Sequence, residues 1–214
     1  MFSYSAEEWL LLFYIYCFLG WCFESAYVSL RTGHLVNRGF MKAPFLPLYG
    51  SGAILLLWVS KVFEGNILLT YVVGLIAATL LELFTGMIME MIFQIKYWNY
   101  SNQRFNFKGH ICLTSSIAWG FMTILVTGVI HGPIASIVVV LPEIVKDVAV
   151  LLLTAILIWD FARSLREALD LRDQLKSLKE VWMQPGRHDG IEDKLEHIQA
   201  ELTARYEVRI PFFK

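Results

Sequence analysis

The sequence predicts an all-α integral membrane protein of about five transmembrane helices, with its N-terminus outside and a cytoplasmic C-terminal helical hairpin. Three observations carry that prediction. The 214 residues are 57% hydrophobic, with a mean hydropathy of +0.54, more apolar than a soluble domain of this size. The apolar residues fall into runs of about 20, the length a helix needs to span a bilayer, separated by short charged loops. The carboxylates Glu24, Glu82 and Glu90 lie inside those runs. A carboxylate there costs roughly 2.5 kcal/mol or more on insertion scales and usually faces a partner, a polar cavity or a transport path.

The N-terminal stretch MFSYSAEEW carries two acids and no Lys or Arg, the reverse of a signal-peptide n-region. The first apolar run, 9–30, is therefore expected to stay as a transmembrane helix. The second run, 44–63, opens with PFLPLYGSG. The third, 66–93, is longer than a bilayer core requires and so tilts or projects into the cytosol. The fourth covers 111–131 and the fifth 143–163. Between them 134–141 is apolar but too short to span; Gly132, Pro133 and Pro142 bracket it, so it reads as an interfacial or re-entrant connection.

Charge sets the direction. Arg31, Arg38 and Lys42 lie in the first loop, and Lys96, Arg104 and Lys108 in the loop before span four. The opposite side has only Lys61 and Lys146. The positive-inside rule puts both basic loops and the basic tail in the cytoplasm. The transmembrane domain is thus 1–163 and the tail 164–214. In the tail Ala168, Leu171, Leu175, Leu178 and Trp182 follow helical spacing. So do Ile191, Leu195, Ile198 and Leu202 after a break at Gln184-Pro185-Gly186, giving two narrow apolar seams in a helical hairpin. Asp189 with Glu192 three residues on can cap the second arm.

The carboxylates can be placed in depth. Glu24 lies roughly 9 Å in from the cytoplasmic end of span one, Glu90 is similarly placed in span three, and Glu82 is about 12 Å deeper. Eight residues turn a helix about 80° beyond two full turns, so Glu82 and Glu90 occupy neighbouring faces that can border a groove. Gly20, one turn before Glu24, lets another helix approach closely. Arg38 is placed to fold back towards Glu24 or Glu90 as a counter-ion. Asn37, Trp98, Asn106, Lys108 and His110 lie at the groove mouth, and Tyr97, Trp98 and Tyr100 also suit an interfacial aromatic belt.

Several classes are disfavoured. A net charge of −1 gives nucleic-acid binding no bulk support. Cys17, Cys22 and Cys112 form no even framework, and Cys17 and Cys22 point about 140° apart on one helix, so all three are expected reduced. No HExxH, CxxC or HxxxH spacing joins Glu24, Glu90, His34, His110 and Cys112 into a metal site. There is no GxSxG, P-loop or GxGxxG. No catalytic residue and no cofactor is assigned, and if transport is ATP-driven the ATPase is a separate polypeptide.

The motifs form an ordered set. They are Phe18-Leu19-Gly20-Trp21 with Glu24; Asn37-Arg38-Gly39-Phe40; Pro44 with Pro47-Leu48-Tyr49-Gly50 and Gly52; Glu82; Glu90; Trp98-Asn99-Tyr100-Ser101; Phe105-Asn106 with Gly109; and Trp119-Gly120. In order and spacing the set resembles the bacterial membrane family called putative ABC-transporter type IV, or CmpB-like, over roughly residues 8–163. Asn99 stands where that family usually has aspartate, so a role needing a charge there does not carry over. The resemblance implies a multi-pass, permease-like transporter component of the bacterial inner membrane.

Three functions follow from these readings. The leading one is a transporter subunit in which Glu24, Glu82 and Glu90 line a cytoplasm-facing path, with Arg38 as gate or counter-ion. The tail hairpin would then bind an ATPase or a second copy. Five spans make a small permease, so a homo-oligomer surrounded by membrane lipids is expected. The alternatives are an integral membrane enzyme acting on a lipid or isoprenoid-linked substrate, with a carboxylate as general base and Arg38 on a phosphate, and a scaffold or sensor with the tail as its output.

Overall fold

The computed structural model describes residues 4–182 and Ile198. Among these residues it is all-helical, with no strand. The elements are α1 (Ala6–Thr32), α2 (Pro47–Val62), α3 (Ile67–Phe93), α4 (Leu113–Leu125), a π-helical turn (Val126–Ile130), α5 (His131–Val139) and α6 (Glu143–Trp182). Among the described residues three helices are long and apolar enough to cross a membrane: Ala6–Thr32, Ile67–Phe93 and Leu113–Val139.

Local chemistry sets the boundaries. Ser5 and Glu8 form a reciprocal capping box that starts α1, and Gly33, at φ 77°, ends it in the left-handed region. Leu46 is extended because it precedes Pro47, so α2 starts at the proline, three residues later than the apolar run begins. Asn66 caps α3 by accepting the N–H of Leu69. Cys112 and Ser115 cap α4, with the cysteine sulfur as the acceptor of the Ser115 N–H.

The apolar segment 134–141 departs from the sequence expectation. It is not a separate re-entrant piece, because α4, the π turn and α5 run on as one helix from Leu113 to Val139. Proline lacks an N–H and its ring presses on the carbonyl four residues back, here that of Val129. The π turn contains Val129, with the His131 N–H reaching Val126 O five residues away. That wider turn opens the backbone where the ring needs room, and the helix passes Gly132-Pro133 without stopping.

The fifth apolar run and the first amphipathic stretch of the tail likewise form one helix, α6, of 40 residues. The second arm of the expected hairpin lies outside the described residues apart from Ile198. That residue is buried with Phe93, Ile95, Tyr97, Ala168 and Leu175, so it packs against the end of α3 and the loop beyond it as well as against α6. Tyr97, expected in an interfacial belt, is buried in the same cluster, edge-on to Phe40 and Phe93 at 5.7 Å.

α1 and α2 pack on each other, α3 on α2 and α4, and α6 along α1. One core joins Leu12, Tyr16, Leu57, Val126 and Val138 at one end of the bundle. A second joins Tyr14, Cys17, Met41 and Phe45 further along α1. The loop between α1 and α2 threads into this packing. Its Leu46 N–H donates to Cys17 O at 3.0 Å and its Ala43 N–H donates to the buried Asp160 carboxylate on α6 at 2.9 Å. Lys42 and Arg163 both pair with Glu167, which ties the same loop to α6 a second time.

Candidate functional site

Glu82 sits on the face of α3 that meets α4 and is 5% exposed. Each of its oxygens has a donor. Trp119 on α4 donates its indole N–H to Oε2 at 3.0 Å, and Tyr100, from the loop before α4, donates its hydroxyl to Oε1 at 3.1 Å. Both are neutral donors to a carboxylate, and hydrogen bonds of that kind are stronger than those between neutral groups. Burial, with the Glu82 and Glu24 carboxylates next, holds the Tyr100 phenol well above its ordinary value. Tyr100 therefore stays a protonated donor.

The network continues across the bundle. The Trp119 ring lies 5.4 Å from that of Tyr49, and the Tyr49 hydroxyl donates to Glu24 Oε1 at 2.5 Å. Tyr49 reaches α1 because Gly20 has no side chain: a Cβ there would overlap the Cβ and Cγ of Tyr49. Glu24, Tyr49, Trp119, Glu82 and Tyr100 thus form one string through α1, α2, α4, α3 and the following loop, which positions two of the carboxylates predicted from sequence.

Glu90 lies two turns further along α3 and belongs to an adjacent cluster. His110 Nε2 is 2.8 Å from its Oε2 and Lys96 Nζ is 3.6 Å from its Oε1. Trp98 fixes the histidine by donating its indole N–H to His110 O at 2.8 Å, and Gly86 leaves space for the ring, since a Cβ there would lie 2.9 Å from Nδ1. Glu90, Trp98, His110 and Lys96 are therefore brought together.

Other expected residues shape loops. Asn37 accepts the Trp21 indole N–H at 2.6 Å and donates to Lys42 O at 2.9 Å. The Arg38 backbone N–H donates to Ser25 Oγ at 3.1 Å. Asn106 donates to the carbonyls of Ser101 and Gln103 and accepts the Gly109 N–H. Lys108 has φ 52°, gives its carbonyl to Lys96 and lays its ammonium over Phe107 at 5.7 Å. Asn99 accepts both the N–H and the hydroxyl of Ser101, a role that needs an acceptor and no charge.

Sequence reasoning missed Tyr49 and Trp119 as carboxylate partners. Their signals were weak: a tyrosine beside Gly50 and a tryptophan beside Gly120, each where helices approach closely.

It also missed a second polar cluster at the opposite end of α1. Glu8 accepts the Ser5 N–H with Oε2 at 2.9 Å and the Lys146 ammonium with Oε1 at 2.6 Å. Lys146 also reaches Glu143 at 3.0 Å. Nearby the two ring nitrogens of the buried His131 meet the hydroxyls of Tyr4 and Tyr16 at 3.1 and 3.0 Å. The available signal was an acidic start to one segment and a lysine near the start of another, expected on the same side.

The family model described as putative ABC-transporter type IV matches residues 11–165. That stretch contains the whole Glu24–Tyr100 string and the Glu90 cluster and leaves out Glu8. No curated protein and no solved structure matches the chain.

Proposed function

Because the chain belongs to the putative ABC-transporter type IV family, we propose that it is the membrane-embedded, permease-like subunit of a transporter in the bacterial inner membrane. Five crossings are assigned: α1, α2, α3, the helix Leu113–Val139 and the apolar half of α6. The N-terminus then lies outside, and the basic loops and tail lie in the cytoplasm, as the distribution of Lys and Arg favours. α2 is 16 residues long, about 24 Å, and the extended residues before Pro47 supply the remaining depth.

The observation that carries this reading is the chain of contacts from Glu24 on α1 to Tyr100 in the loop before α4, running between apolar helices. Among the described residues Glu82 is met by neutral donors, Trp119 and Tyr100 among them, rather than by a fixed cation. A carboxyl group held this way is placed to meet a passing ion, proton or basic solute. Glu24, Glu82 and Glu90 line the path in this assignment, with Arg38 as gate. Asn37, Trp98, Asn106, Lys108 and His110 form its cytoplasmic mouth. The chain carries no P-loop, so ATP-driven movement needs a separate ATPase subunit. Five crossings enclose little space, so a homo-oligomer completes the path.

The test is purification of the full chain from native membranes in mild detergent, with mass spectrometry of the proteins retained. The expected result is a co-purifying ATPase whose hydrolysis in liposomes is stimulated by this chain and falls with Glu82→Gln. Self-association alone, with no ATPase retained, overturns the ABC-coupled reading.

A further inference from the structure

One stripe of α6 changes character along its length. Leu152, Ile156, Trp159, Arg163 and Arg166 are spaced by four, three, four and three residues, so they share one face of the helix. Leu152, Ile156 and Trp159 are 57%, 46% and 64% exposed. The stripe therefore runs from open aliphatic groups through an open indole to two guanidinium groups. At the lower end Trp159, Ala162, Arg163, Arg166 and Glu167 line a shallow cavity of about 370 Å³.

Charge at this cavity is unbalanced. Glu167 is held by Lys42 from the α1–α2 loop and by Arg163 Nε at 3.2 Å. Arg163 also lies over the Trp159 ring at 5.8 Å. A guanidinium has five N–H donors, and the pair with Glu167 uses the one on Nε. Arg166 is exposed and makes no hydrogen bond or ion pair among the described residues. Among the described residues that line the cavity, two guanidinium groups, Arg163 and Arg166, face one carboxylate, Glu167.

We propose that this stripe is a binding site for one anionic phospholipid of the cytoplasmic leaflet. Its phosphate takes the free donors of Arg163 and Arg166, its glycerol backbone lies at Trp159, and its acyl chains run along Ile156 and Leu152. The order of groups on the helix matches the order of groups in the lipid. About 15 Å separates Ile156 from Arg166 along the axis, a span covering the headgroup and the first part of the chains. Indole rings favour the headgroup level and arginine pairs with phosphate through parallel N–H donors. The lipid also bears on Glu167, and through it on Lys42 and the loop that carries Asn37 and Arg38. The proposal rests on reading α6 as crossing the membrane with its Trp182 end in the cytoplasm.

The test uses the full chain in detergent with equal amounts of dioleoyl phosphatidylglycerol and dioleoyl phosphatidylcholine, and native mass spectrometry of the lipids retained. Phosphatidylglycerol is expected to be retained preferentially. Arg163→Ala and Arg166→Ala are each expected to weaken that preference about fivefold. Arg166→Glu, at an exposed position without a partner among the described residues, tests the site without threatening the fold and is expected to abolish the preference. Equal retention of the two lipids by the unaltered chain overturns the proposal, as does unchanged preference in Arg166→Glu. Displacement of the lipid by inorganic phosphate also overturns it, by making the site one for the free anion. A cysteine at position 162 in a cysteine-free chain reports the topology separately. Labelling from the cytoplasmic side together with no lipid preference removes the lipid site alone, whereas labelling from outside removes the assignment of α6 on which it rests.

Discussion

Trp119 donates its indole N–H to Glu82 across the α3–α4 contact at 3.0 Å, and the same indole faces the ring of Tyr49. One side chain thus completes a buried carboxylate and links it to the second carboxylate through Tyr49. Trp119→Phe keeps the ring contact and removes the donor. A hydrogen bond to a charged group contributes about 2 kcal/mol, so the variant is expected to unfold at a lower temperature by that order of destabilisation. Tyr100→Phe is expected to do the same at the other oxygen. Thermal unfolding in detergent checks both, and an unchanged midpoint in the pair of variants would show that Glu82 is not held by these donors.

Gly20 and Tyr49 are in direct contact, with no room for a Cβ on the glycine. Gly20→Ala is expected to destabilise by about 1–3 kcal/mol, the usual cost of overpacking. Tyr49→Gly in the same chain should recover part of that loss because it removes the overlapping Cβ and Cγ. A double-mutant cycle on thermal unfolding gives the coupling, and strict additivity would refute the contact.

Glu8 and Lys146 join the start of α1 to the start of α6 at 2.6 Å. Removing one partner leaves the other without its counter-charge, while replacing both removes the demand altogether. Lys146→Met is therefore expected to melt below Glu8→Gln/Lys146→Met. The reverse order of midpoints would show that the pair contributes nothing at this end of the bundle.

Topology gives a fourth prediction. In a chain with Cys17, Cys22 and Cys112 replaced, a cysteine at Asn102, exposed in the loop before α4, should react with an impermeant maleimide only from the cytoplasmic side. A cysteine at Glu64, exposed in the α2–α3 turn, should react only from outside. Reversal of the pair would overturn the charge-based orientation.

Much of the helical layout was legible because hydrocarbon leaves the backbone few options: an apolar run of sufficient length reads as a helix whatever it packs against. The Gly132-Pro133 pair misled because its meaning is local in water but not within a long helix. The π turn that accommodates it depends on backbone geometry rather than on residue type. Glu24, Glu82 and Glu90 stood out through their cost in apolar surroundings, which is a property of one residue. Their partners did not, because Tyr49, Trp119 and His110 reach them only after the helices pack, and sequence spacing does not encode which faces meet. Glu8 and Lys146 show the same gap: each is unremarkable alone, and only their closeness across the bundle gives them a shared role.

The length of α6 has a mechanical consequence. It is a stiff rod of 40 residues, about 60 Å long, fixed at one end to α1 by Lys146 and Glu8. Near its middle it is fixed again by Asp160 on the Ala43 backbone and by Glu167 on Lys42. Beyond that second fastening, Arg172 donates to the Ile92 carbonyl at 3.1 Å, at the end of the helix that bears Glu82 and Glu90. One continuous helix thus links the Glu8–Lys146 pair, the α1–α2 loop and the end of α3 that bears Glu90.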